Sequence, residues 1–224
     1  MSEKISFIIP SKNEVESLGA VLEEVKNNEY VDEVIVIVDS EKDNSIDVTK
    51  KFNCKLIIQK KKGYGAAIIE GFKKAKNSYG CIYNADYSFD PKFLEGLINL
   101  SKNYDFIFGS RYIGSGGSDD DDIITFVGNK IFTFITRHIL RIKLSDILFT
   151  YVLCDVKKFN SLNLENDDFK FCIELPVKVK KNNFTYTDLE MFERKRSDGK
   201  KNVNVIKDGL LISFEIIRGF LLLY

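Results

Sequence analysis

Tryptophan is absent from this chain of 224 residues, proline occurs three times, histidine once and cysteine four times. The cysteines, Cys54, Cys81, Cys154 and Cys172, form no CxxC pair, and His138 alone does not complete a Cys/His zinc site. They read as buried thiols of a reducing cytosol. Net charge is lacking too, with 33 Lys and Arg against 33 Asp and Glu. Binding of nucleic acid by bulk electrostatics needs a basic excess, so nucleic acid is not an expected partner. Long apolar runs are missing as well. The stretch before Lys12 is too short for the core of a secretion signal. The most apolar tract, Leu210 to Tyr224, holds Glu215 and Arg218, whereas a spanning helix needs about 20 apolar residues. A cytoplasmic chain that does not cross a membrane is expected.

What is present is an ordinary folding composition, 44% hydrophobic and 29% charged residues, in a chain long enough to bury a core without disulfides or a structural metal. Short β-branched runs predict strands at Lys4–Ile9, Glu33–Val38, Lys55–Gln59, Gly80–Tyr83 and Asp105–Gly109. Apolar residues at spacings of three and four predict helices between them, at Glu14–Asn27, Ser45–Lys51, Gly65–Lys76 and Pro91–Lys102. Alternation of this kind is the pattern of an α/β fold with a mainly parallel central sheet flanked by helices. After Arg111 come a Gly/Ser/Asp segment to Asp122, a long helix over Ile123–Leu140 and a helical tract near Leu175–Lys181. A strand near Phe184–Glu190, a basic loop at Arg194–Asn202 and a final helix from Val205 follow. No repeat or linker interrupts the chain, so a single domain over 1–224 is expected.

In open α/β sheets, ligands bind beyond the carboxyl ends of the strands. Those ends carry Pro10 to Glu14, Asp39 to Asp43, Lys60 to Gly65, Asn84 to Asp86 and Gly109 to Arg111. Carboxylates, lysines, glycines and an arginine on one edge suit a diphosphate and its metal. Asp86, two positions from Asn84, is a candidate ligand for a hard divalent cation; the other reading is that it opens the turn before Pro91. Gly63-Tyr64-Gly65 offers backbone N–H groups to phosphate or is a turn that opens a helix, and Lys60–Lys62 by itself reads as a solvated run. The acidic run Asp119–Asp122 is expected to point into water. His138 is expected at the surface or in packing, and no Ser/His/Asp or Cys/His arrangement is evident.

In order, these segments resemble glycosyltransferase family 2, and within it the branch similar to dolichyl-phosphate mannose synthase and to polyprenyl-phosphate or polysaccharide sugar transferases. Ile8-Ile9-Pro10 through Asn13-Glu14 resembles the opening "IPxxNE"; Val34–Asp39 through Asp43 resembles "IIVVDDGSTDGT". Gly63-Tyr64-Gly65-Ala66-Ala67 with Gly71 resembles "GKGAAxxxG", Asn84-Ala85-Asp86 through Asp90-Pro91 resembles "DADxxxDP", and Gly109-Ser110-Arg111-Tyr112 resembles "GSRY". Gly128-Asn129, Ser145-Asp146, Tyr151, Glu174, Phe192-Glu193-Arg194, Arg196 to Gly199, Asn202 and Asp208-Gly209 continue the likeness over nearly the whole chain.

The resemblance implies the GT-A fold and an inverting transfer of sugar from a GDP- or UDP-sugar to a polyprenyl or dolichyl phosphate or to a growing glycan. It divides the chain into a nucleotide-sugar-binding half, 1–112, an acceptor-side half, 113–204, and a C-terminal amphipathic helix, 205–224. It places Pro10, Asn13, Glu14, Asp39, Lys62, Gly63, Asn84 and Asp86 around the donor, and Mg²⁺ or Mn²⁺ on Asp86 with Asn84. Asp86, Arg111 and Arg196 are the implied catalytic residues: Arg111 faces the acceptor phosphate and Arg196 closes over the donor. Asp146 and Glu174 are acceptor-side candidates for a base if the acceptor is a hydroxyl.

Departures bear on the metal and on the acceptor. Asn84 stands where the family has the first Asp of its metal motif, Val152 replaces a polar position, no basic residue precedes Gly128-Asn129, and Lys201 replaces a frequent serine. The final helix gathers Lys207, Asp208, Glu215 and Arg218 into a narrow stripe beside Leu210, Leu211, Phe214, Ile217, Leu221 and Leu222. Its apolar surface is expected either to pack on the domain or to lie at the cytoplasmic face of a membrane. Two rival readings are a sugar nucleotidyltransferase and a non-catalytic nucleotide-sugar-binding domain.

Overall fold

The computed structural model describes residues 4–197 and 205–223, with the backbone alone over 205–208. Five strands follow the expected runs: β1 (Ile5–Ser11), β2 (Val31–Val38), β3 (Lys55–Ile58), β4 (Tyr79–Ile82) and β5 (Phe106–Ser110). The helices between them are α1 (Val15–Val25), α2 (Ser45–Lys51), α3 (Tyr64–Phe72) and α4 (Leu94–Ser101), the last preceded by a 3-10 turn at Pro91–Phe93. Asp90 caps that turn by accepting from the Lys92 N–H at 3.0 Å. Proline at the first helical position needs no N–H there, which is why the chain turns at Pro91.

The second half adds β6 (Gly117–Ser118), α5 (Ile123–Ile139), β7 (Val152–Asp155), α6 (Val156–Ser161), α7 (Phe171–Lys181), β8 (Tyr186–Glu190), β9 (Phe192–Glu193) and α8 (Val205–Leu223). Seven strands form one sheet in the order β3-β2-β1-β4-β7-β5-β8. All pairings are parallel except those of β7, which runs antiparallel to β4 and β5. β7 is the strand that periodicity does not reveal. Four residues are too few to show a period, and an antiparallel strand is not announced by a following crossover helix.

Alternation along β1 explains the layers. Phe7 and Ile9 point into a core with α1 and α4 residues such as Leu18, Val21, Leu94 and Leu97. Ile8 points to the opposite face, into a core with Ala67, Ile68 and Phe72 of α3 and Phe159 of α6. A strand buried on both sides reads as a continuous apolar run, and two helical layers cover one sheet.

α5 is amphipathic in the reverse sense. It buries Asn129, Thr133 and Thr136 while Ile123, Ile124, Ile131 and Phe134 are exposed. α8 packs on α7 and α5, with Ile212, Ile216 and Glu215 buried and Leu210, Phe214, Ile217 and Leu221 exposed. The packing expectation for α8 therefore holds for one face, and its carboxylate Glu215 turns inward toward Arg218 rather than lying on a solvated stripe. Among the described residues no helix is long and apolar enough to cross a membrane.

Candidate active site

The carboxyl ends of β1 to β5 border a cavity of about 620 Å³. From β1, Pro10, Lys12 and Glu14 line it, while Asn13 does not. Asn13 sits at φ 57° and gives its N–H to both oxygens of Asp43 at 3.2 Å. Asn tolerates that left-handed turn better than most residues, so its place in the site is conformational. Asp43 also accepts from the Ser45 N–H at 2.8 Å, which ties the β1 turn to the start of α2.

Asp39 follows β2 and meets Lys62 at 3.0 Å and Lys12 at 3.6 Å. The hydrogen bond from Lys62 holds its carboxyl below the ordinary aspartate value against the opposing effect of burial. Gly63 and Gly65 answer to a close approach of backbone. A Cβ on Gly63, at φ +128°, would lie 2.1 Å from the Asp167 carbonyl oxygen, and one on Gly65 2.2 Å from that of Asn166. The Ala66 N–H donates to Asp167 at 3.1 Å, so the first turn of α3 is partly satisfied by the 165–168 loop, and Gly63 still lines the cavity.

Asn84 and Asp86 follow β4 and both line the cavity. Asn84 Oδ1 accepts from the Tyr64 hydroxyl at 3.2 Å, which also meets Thr150 at 2.7 Å; burial pushes the Tyr64 phenol up. Asp86 Oδ1 accepts from Ser88, at 3.0 Å from its N–H and 2.6 Å from its hydroxyl. Asp86 Oδ2 faces Arg196 Nε at 3.6 Å, a loose pair. Among the described residues no three His, Cys, Asp or Glu side chains converge as a cation cage. A hard cation held by one carboxylate oxygen together with diphosphate oxygens fits this donor set.

Arg111, after β5, is enclosed by carboxylates. Its Nε and Nη2 donate to Asp146 at 2.7 and 3.1 Å, and its Nη1 donates to Glu193 at 2.9 Å and Asp121 at 3.3 Å. Arg196 Nε donates to Asp120 at 3.0 Å. Asp120 and Asp121 therefore do not point into water as expected; they are half-buried residues whose side chains are 9% and 7% exposed, because Arg196 and Arg111 meet them there. Asp122 caps α5, accepting from the Thr125 N–H at 2.7 Å. Asp146, with no exposed surface, stands behind Arg111, and Glu174 accepts from the N–H groups of Glu165 and Asn166 at 2.8 Å each and pairs with Lys178. Neither lines the cavity. Val152 is buried in the sheet within β7. Gly199, Lys201 and Asn202 lie outside the described residues, as do the side chains of Lys207 and Asp208.

Residues 6–162 match the family model described as Glycosyl transferase family 2. The chain belongs to that family. This family 2 glycosyltransferase is 32% identical over 121 residues to the dolichol-phosphate mannosyltransferase of Pyrococcus furiosus, across 50% of this chain and 34% of that protein. It is 30% identical over 118 residues to the cholesterol galactosyltransferase of Borreliella burgdorferi, across 49% and 33%. The chain thus spans about a third of the length of these two relatives. Among solved structures, it is similar to glucosyl-3-phosphoglycerate synthase from Mycobacterium tuberculosis. The complex with phosphoglyceric acid gives a TM-score of 0.75 at 12% identity, covering 97% of this chain and 80% of the other. The complex with Mn²⁺, uridine diphosphate and glucosyl-3-phosphoglycerate gives 0.73 at 13% identity with the same coverage. That likeness shows the GT-A fold.

Several residues of this glycosyltransferase's site appeared in sequence motifs without being assigned to it: Tyr64, Asp120, Asp121 and Glu193 line the cavity. Tyr64, Asp120 and Glu193 gain their places through partners far along the chain, Thr150, Arg196 and Arg111, and Asp121 through the nearer Arg111 and Tyr112. The one signal available was the acidic run itself, lying between two arginines that need counter-charge.

Proposed function

We propose that the cavity binds a nucleoside diphosphate sugar and that the chain transfers the sugar, with inversion, to an acceptor arriving from the α5 side. The observation that carries this reading is the placement of Asp39, Lys62, Asn84, Asp86 and Arg196 around one cavity at the carboxyl edge of the sheet. Asp39 is placed for the ribose, and Lys62 and Gly63 for the donor beside it. Mg²⁺ or Mn²⁺ would be held by Asp86, with Asn84 beside it, and would supply charge neutralisation for the departing diphosphate. Solved neighbours of the same fold contain Mn²⁺ or Mg²⁺ with uridine diphosphate, which supports this choice of ion.

Arg196 is positioned to neutralise charge on the leaving group, since it can exchange its loose contact with Asp86 for a phosphate oxygen. Arg111 is saturated by its carboxylates, so we assign it to holding that side of the cavity. A dolichol-phosphate mannosyltransferase and a cholesterol galactosyltransferase both appear among the relatives, which supports an acceptor carried on a lipid and leaves its reacting group, phosphate or hydroxyl, to be decided by the α5 side. A membrane-facing position for α5 and α8 follows from an acceptor of that kind.

Melting of the purified chain with UDP and with GDP, each with and without Mn²⁺, tests the donor reading. A specific ligand stabilises the folded state by mass action. The expected result is a rise in Tm that needs nucleotide and metal together and is lost in Asp86→Ala. A rise that persists in Asp86→Ala, without sugar transfer from any UDP- or GDP-sugar, would favour a binding domain without turnover. No rise with either nucleotide would remove the proposal.

A further inference from the structure

Among the described residues, the acceptor side of the cavity carries more negative than positive charge, and this narrows what it accepts, given the glycosyltransferase reading on which the inference rests. Asp120, Asp121, Asp146 and Glu193 surround two guanidiniums, Arg111 and Arg196. Nε, Nη1 and Nη2 of Arg111 are all engaged. An acceptor phosphate would have to displace a carboxylate from Arg111 and would meet like charge in a wall of low dielectric. Among the described residues, the other cations lining the cavity are Lys12 and Lys62, which lie at the opposite end on Asp39.

The wall beyond this side is apolar and faces outward. Phe134 is 62% exposed on α5, and Phe214 63% exposed on α8, which runs alongside it with Gly209 near Phe132 and Gly219 near Leu140. Exposed apolar residues are ordinary singly, but a patch spread over two neighbouring helices marks a binding surface. Ile124 is 70% exposed and also lines the cavity, together with Phe132 and Ile212. The outer face and the cavity therefore share a wall, which suits a ligand with a reacting head inside and a hydrocarbon body outside.

We propose that the acceptor is the neutral hydroxyl of a long-chain amphiphile, whose hydrocarbon lies on the α5–α8 face and whose hydroxyl proton passes to Glu193. In the transfer, the hydroxyl oxygen bonds to the anomeric carbon of the donor sugar. The bond from that carbon to the diphosphate oxygen breaks, and its electron pair leaves with the nucleoside diphosphate. Glu193 lines the cavity, and its Oε2 is fixed by Ser118 at 2.6 Å and Arg111 at 2.9 Å. Its Oε1 makes no hydrogen bond among the described residues. Burial pushes the Glu193 carboxyl above the ordinary glutamate value, although Arg111 and Ser118 pull it back, the direction that suits a base working near neutral pH. Arg111 is then a positioning residue for Glu193.

The test uses the whole chain with a panel of UDP- and GDP-hexoses, Mn²⁺, and the acceptors hexanol, octanol, decanol and decyl phosphate below their micelle concentrations. Burial of hydrocarbon predicts that kcat/KM rises about fourfold per added methylene, with decanol at least ~100-fold better than decyl phosphate. Glu193→Gln is expected to lower kcat toward decanol by about 100-fold or more, with the donor's Kd unchanged and Glu193→Asp recovering part of the rate. Preference for decyl phosphate, or a rate independent of alcohol length, overturns the inference even where Glu193→Gln fails to fold, because both are read on the unaltered chain. Donor hydrolysis without transfer to any of the four acceptors also overturns it and leaves the donor reading intact. Absence of donor binding removes the donor reading itself.

Discussion

Asp39 and Arg111 show how much a side chain's role depends on its neighbours. Because Lys62 lowers the Asp39 pKa, the folded value lies below the unfolded value of about 3.9. The stabilisation is fully present above that unfolded value and is lost as pH falls through the lower folded one. Lys62→Met is expected to move the Asp39 midpoint upward in an NMR titration, toward the ordinary aspartate value; an unmoved midpoint would show that Lys62 does not set it. Arg111→Met would leave Asp146, with no exposed surface, without its cation. Breaking a buried pair from one side costs about 3–5 kcal/mol, so urea denaturation should show a loss of that order. Pro10, Glu14, Asp39, Lys62, Gly63, Asn84, Asp86, Arg111 and Arg196 all line the cavity; the first eight were legible because each follows a strand, and Arg196 only through the family resemblance. Asp120 and Asp121 were not, since a carboxylate run reads as solvated until its partners are placed beside it, and Glu193 figured only within the Phe192-Glu193-Arg194 likeness.

Among the elements, the termini of α3 and α5 are the most informative. Asp122→Ala removes the acceptor of the Thr125 N–H and is expected to cost about 1 kcal/mol, measurable by urea denaturation. Gly65→Ala would put a methyl group 2.2 Å from the Asn166 carbonyl oxygen. Backbone cannot yield there as a side-chain tip can, so a loss of about 1–3 kcal/mol is expected; a variant as stable as the parent would show that the 165–168 loop is not held against α3. β1 to β5 were predictable because their short β-branched runs are bounded by turns; β8, Tyr186–Glu190, was foreseen as a strand although Asp188 and Glu190 interrupt its apolar residues. β7 was not, since nothing within Val152–Asp155 says that it inserts between β4 and β5. α5 was foreseen as a helix but not in its orientation, because periodicity reports that a helix has two faces and not which one turns inward.

For the whole molecule, the sheet between two helical layers makes chemical access uneven. Cys81 and Cys154 are fully buried in β4 and β7, while Cys54 is half-buried with its thiol pushed up to about 11 by burial. Thiolate is the reactive form, so maleimide at pH 7 should modify Cys54 slowly, and Cys81 and Cys154 only at the rate of global unfolding. Faster labelling of Cys81 or Cys154 would reveal local opening of the sheet centre. Sequence by itself determined the α/β class, the first five strands and the set of residues gathered at one edge, because parallel strands are buried on both faces and their carboxyl ends must share a side. Tertiary structure alone decided which charges neutralise one another and which helix faces remain exposed. Arg111 meets Asp146 and Glu193 across 35 and 82 residues, and α5 turns Asn129 and Thr133 inward. Pairing and burial at such separations depend on where the chain returns in space, which no local run of residues encodes.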